Sequence, residues 1–145
     1  FIKVMGLIFI FPSIRLTILS FFASITLDLN SCESRIYTGS LSLSLLAYES
    51  INEILSILRG NRDVKLAIVS SSPSSSVKRV VQHFWWLFDI IVCYHDTIKH
   101  KPHHAPFIEV ANRLKIDVRD CWAVGDAPKD IIAAKTAGMY AVAVL

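Results

Sequence analysis

An open α/β sheet, mostly parallel and covered by helices on both faces, is the fold class this sequence predicts. Three observations point to it. From residue 50 onward, amphipathic helical patterns alternate with short apolar runs, in the order helix, strand, repeated four times. Strict alternation of this kind favours parallel strands joined by crossover helices. The polar residues that stand out, Ser70, Lys101 and Asp126, fall just past the ends of apolar runs. Open sheets of this type bind ligands outside the carboxyl ends of their strands. The length of 145 residues suits one domain with a single core.

The elements read as follows. "VMGLIFIF" (4–11) and "ASITLDL" (23–29) are candidate buried strands, and the Ser-rich stretch from Ser31 to Ser44 is a candidate loop. Ser50 and Glu53 form a capping box; Ile51, Ile54, Leu55 and Leu58 then share one helical face, with Gly60 as the expected C-cap. "VKLAIVS" (64–70) reads as a strand and "SSPSSS" (71–76) as a turn rich in N-cap residues. Val77, Val80, Val81 and Phe84 mark the next helix. A strand at 88–94 and a polar loop at 95–106 precede a helix over 107–114. Its inward face is Phe107, Val110, Ala111 and Leu114. "CWAVGD" (121–126) is a strand, 129–137 a helix ended by Gly138, and "YAVAVL" (140–145) a strand.

Composition narrows the function classes. The chain is 53% hydrophobic and 19% charged, with a net charge of +3. Its basic residues are scattered rather than gathered in a stripe, which argues against nucleic acid. Cys32, Cys93 and Cys121 are far apart without C-x-x-C spacing, so they read as buried or free thiols in a reducing, cytoplasmic setting. Residues 1–27 are strongly apolar, but Pro12 and Arg15 split them into pieces shorter than the ~20 residues a membrane span needs. Core strands are the expectation there, with a membrane or targeting segment as the alternative. The first residue is Phe rather than Met, which reads as a fragment or a processed product. The terminal run "YAVAVL" has no exit loop, which reads as a shortened C-terminus.

Three loops then carry the candidate chemistry: Ser70 and Ser71, Tyr94 to Lys101, and Gly125 with Asp126. Asp126 and Asp130 are oxygen donors four apart, and Mg²⁺ needs only one or two carboxylates because it keeps several waters. Their alternative reading is an N-cap and a first-turn charge favoured by the helix dipole. Gly125 allows close backbone approach. A serine hydroxyl and free N–H groups before a helix can hold a phosphate oxygen, and Lys101, kept extended by Pro102, can neutralise phosphate charge. His95, His100, His103 and His104 lack the spacing of a helical metal site.

Taken in order, these segments resemble the haloacid dehalogenase (HAD) superfamily of phosphohydrolases. "KLAIVSSSP" looks like its second motif, ending in Ser70, and "KHKPHHAPF" like its third, with Lys101. "VGDAPKDIIAAKTAGM" looks like its fourth, with Asp126 and Asp130. The resemblance covers roughly residues 50–145 and is greatest to the phosphoglycolate phosphatase group. It implies a Rossmann-like three-layer α/β/α core over 1–145, with 1–49 poorly matched and the cap domain absent or minimal. It also implies Mg²⁺, held by Asp126, Asp130 and the nucleophile. The implied reaction is hydrolysis of a small phosphorylated metabolite through an aspartyl-phosphate. Ser70, with Ser71, would bind the phosphate, and Lys101 would tie phosphate and nucleophile together.

The family's first motif, an apolar strand followed by D-x-D-G-T, is absent as a string. One register aligns "GLIFIFPSI" and places Ile10 and Pro12 at the nucleophile and acid positions, where neither can react. The other uses "ITLDLNSC", with Asp28 at the nucleophile position and Asn30 in place of the acid. Asn30 cannot move a proton, although its carbonyl could still bind Mg²⁺. Both registers stay open, as does a catalytically inactive, degenerate domain with a structural or binding role.

Overall fold

The structure, a computed structural model, describes residues 6–10 and 51–144. The five strands are β1 (Gly6–Ile10), β2 (Lys65–Val69), β3 (Ile90–Val92), β4 (Cys121–Gly125) and β5 (Tyr140–Ala143). The helices are α1 (Ile51–Gly60), α2 (Ser74–His83), α3 (Ala105–Leu114) and α4 (Pro128–Ala137). The strands form one sheet in the order β3-β2-β1-β4-β5.

Alternating side chains divide the sheet into two faces. Ala67, Val69, Val92, Cys121 and Ala123 pack with Phe107, Val110 and Ala111 of α3 and with Ala133, Ala134 and Ala137 of α4. On the opposite face Leu66 and Val124 pack with Leu55 of α1, and Ile68 packs with Val77 and Val80 of α2. The result is the expected α/β/α layering. Small residues fill the α4 side, so α4 lies close to the sheet and brings Asp130 against β4.

β2 and β3 are parallel, as are β4 and β5. β1, at the centre, runs antiparallel to both β2 and β4. Four of the five strands therefore share one direction, and the sheet is mostly parallel with its middle strand reversed. The register pairs Gly6 with Val69 and Ile10 with Lys65 and Cys121.

Local sequence explains most element ends, with some differences from expectation. Gly138 ends α4 in the left-handed region at φ 89°, where glycine is free of strain. Gly60 instead stays inside α1 as its last residue, and the chain leaves through Asn61, whose N–H bonds Leu58 O at 3.2 Å. α2 starts within the serine run at Ser74, capped by Pro73 without a side-chain bond. β3 is shorter than the apolar run at 88–94, because Tyr94–Asp96 turn into a 3₁₀ segment. The capping box at Ser50, the expected strand at 23–29 and the loop at 31–44 lie outside the described residues, as does most of the apolar stretch 1–27. Among the described residues, no helix is long and apolar enough to cross a membrane.

Candidate active site

Because β2, β3 and β4 point the same way, their following loops meet at one edge of the sheet. Ser70 follows β2, Tyr94–Lys101 follow β3, and Asp126 follows β4. The register Val69↔Val92 aligns the first two, and the Ser70 N–H bonds Val92 O at 2.9 Å.

Ser70 is buried, and its Oγ accepts the Ser72 N–H at 3.1 Å. That contact uses a lone pair and leaves the hydroxyl proton to donate elsewhere. Ser71 is exposed. The Lys101 side chain is only 4% exposed, and its Nζ donates to Val69 O at 3.2 Å. The same ammonium stands 2.6 Å from Asp130 Oδ1. Asp130 is itself 3% exposed. Oδ1 has this charge partner and no further hydrogen bond. The two groups form a buried ion pair at contact distance. Two charges this deep are tolerable only together, since removing either strands the other.

Gly125 makes this arrangement possible. A Cβ at residue 125 would sit 2.6 Å from Asp130 Cβ and 3.2 Å from its Oδ2. Only glycine lets the first turn of α4 press the carboxylate against the end of β4. Asp126 is exposed and is not the helix cap, which is Ala127, followed by Pro128. Its N-cap alternative therefore falls away, while Asp130 does lie in the first turn, where the helix dipole favours its charge.

The β3 loop is held by contacts that no local sequence pattern announces. Asp96 Oδ2 accepts the Cys93 N–H at 2.6 Å, and Oδ1 accepts Arg113 of α3 at 3.2 Å. The Cys93 amide above all, and then Arg113, holds the Asp96 carboxyl below its usual range. Arg113 also meets Glu109 at 2.7 Å. Acid and base four apart on a helix were visible in the sequence; their link to residue 96 was not. The histidines serve local structure. His103 Nδ1 accepts the Ala105 N–H at 3.1 Å, and His100 stacks on Tyr94. Burial, then the nearby charges of His104 and Lys99, lower the His103 pKa. Cys93 and Cys121 are buried free thiols, and desolvation pushes Cys121 up to about 12, which leaves it inert.

Ser70, Lys101, Asp126 and Asp130 are thus brought to one edge, with Ser71 beside them. Asp28 lies outside the described residues. Ile10 pairs with Lys65 and Cys121, which start β2 and β4, so it sits at the opposite end of the sheet from Ser70.

A family model, haloacid dehalogenase-like hydrolase, matches residues 13–144. The chain belongs to this family. It is 36% identical over 98 residues to a protein carrying the name pyrophosphatase PpaX from Caldanaerobacter subterraneus subsp. tengcongensis, covering 66% of this chain and 44% of that protein. It is 34% identical over 80 residues to a phosphoglycolate phosphatase of Xanthomonas campestris pv. campestris, covering 54% of this chain and 36% of the relative. Among solved structures it resembles a HAD-superfamily hydrolase of subfamily IA from Geobacter sulfurreducens, with TM-score 0.59 and 30% identity. That match covers 66% of this chain and 45% of the other. The chain therefore spans less than half the length of these relatives.

Proposed function

We propose that this chain carries the phosphate pocket of a Mg²⁺-dependent HAD-type phosphatase that acts on a small phosphorylated metabolite in the cytoplasm. The observation that carries the reading is the buried Lys101–Asp130 pair beside Ser70, at the carboxyl ends of the parallel strands. In this reading the Ser70 hydroxyl donates to a phosphate oxygen. Lys101 has three N–H donors, and the Val69 carbonyl and Asp130 leave one for the same phosphate.

The donor set fits a hard cation. Asp126 is an exposed carboxylate, and Asp130 brings a second one at the start of the next helix, its Oδ1 paired with Lys101. Mg²⁺, when bound, supplies charge neutralisation at the phosphoryl oxygens. Asp28 is the carboxylate we assign to attack phosphorus and form the aspartyl-phosphate, because the Ile10 register offers no nucleophile. Hydrolysis of an aryl phosphate by the full chain at millimolar Mg²⁺ tests the proposal. Turnover should vanish on chelation and in Asp126→Ala or Asp28→Asn. A folded chain without turnover would reject it.

A second reading rests on the missing D-x-D string and on Asn30 at the acid position: the domain keeps the pocket and binds phosphate without hydrolysing it. Thermal stabilisation by phosphate and Mg²⁺ without turnover would select it.

A further inference from the structure

We propose that Tyr94 is the specificity-determining residue of this pocket, and that the preferred ligand is a phosphate monoester whose organic group is aromatic or heteroaromatic; this rests on the phosphate-pocket reading above. The Tyr94 N–H bonds Ser72 O at 3.1 Å, and the Ser72 N–H bonds Ser70 Oγ at 3.1 Å. Tyr94 is thus two hydrogen bonds from the serine hydroxyl. Its ring stacks on His100, with centroids 3.9 Å apart and planes inclined by 21°. His100 immediately precedes Lys101, whose ammonium is buried against Val69 O and Asp130. The Tyr94 backbone is thus tied to the serine loop while its ring pairs with the residue before the lysine, and His95 lies edge-on at 5.1 Å.

Tyr94 is 42% exposed, and Ile98 in the same loop is 99% exposed. The acid of the loop, Asp96, is turned to the Cys93 amide and Arg113 and does not impose its charge on the rim. A ring already fixed by stacking loses little rotamer freedom on meeting a ligand. It offers a π surface that a planar aromatic group can cover and a methyl group cannot.

Calorimetry on the full chain with phenylphosphonate and methylphosphonate tests this without turnover, since neither can be hydrolysed. Phenylphosphonate should bind roughly 3- to 10-fold tighter. Tyr94→Leu, which keeps apolar bulk, should bring the ratio below about 2-fold, and Tyr94→Phe should preserve it. Equal binding of the two ligands to the unaltered chain overturns the proposal. So does a ratio that survives Tyr94→Leu, or a loss in Tyr94→Leu that affects both ligands alike, as a merely structural ring would give. If the folded chain binds neither phosphonate nor inorganic phosphate, the phosphate pocket itself is rejected, an outcome separate from loss of selectivity.

Discussion

Lys101 and Asp130 show how much of the site depends on single side chains. Both are almost fully buried, so Lys101→Met leaves an uncompensated carboxylate. Urea denaturation should register a loss of about 3–5 kcal/mol. The double variant Lys101→Met/Asp130→Leu should recover most of it, because an apolar pair needs no solvation; a double variant as unstable as the single would contradict the pairing. Gly125→Ala forces Cβ into the Asp130 side chain and should cost about 1–3 kcal/mol as an overpacking strain. It should also weaken phosphate binding, read by calorimetry. At this scale the sequence exposed the residue types and their strand-end positions. It did not show that a lysine and an acid 29 positions apart form one buried pair, since that contact is made only when β2 and β4 flank the same strand.

The loop between β3 and α3 is the element on which the lysine rides, and Asp96 is its clamp. Asp96→Ala removes two hydrogen bonds and should cost roughly 1–2 kcal/mol at neutral pH. The acid limb of stability follows from two depressed carboxyls. Asp117, bonded by the Arg119 side chain and backbone, is held at about 2, and Asp96 is lowered by the Cys93 amide. In an unfolded chain both titrate near 3.9, so the folded state binds fewer protons. Their contribution is present above that value and is lost as pH falls toward about 2. Denaturation between pH 2 and 6 should show this decline, and Asp117→Asn should flatten it; an unchanged slope would remove Asp117 from the account. Most helices were legible here because their apolar residues recur with helical spacing. The short β3 was not, because the 3₁₀ turn at Tyr94–Asp96 is set by the Asp96 clamp rather than by local hydropathy.

The whole molecule turns on the direction of its central strand. An apolar run has the same period in either direction, so "GLIFI" predicts a buried strand and says nothing of its polarity. The register opposes Ile10 to Cys121. Ile10 is also opposed to Lys65, an exposed position of β2, so the double variant Ile10→Cys/Lys65→Cys should form a disulfide on mild oxidation, identified by peptide mapping; a link from Gly6→Cys to Lys65→Cys instead would mean a parallel β1. By itself, the sequence determined the layered α/β class, the helix faces and the residues at three strand ends, because hydrophobic periodicity and turn chemistry act over a few neighbours. Only the tertiary structure decided that β1 runs backwards, that Ile10 lies away from the serine loop, and that Lys101 meets Asp130. Those outcomes depend on which strands pair across the sheet and in which direction, and no local pattern encodes that choice.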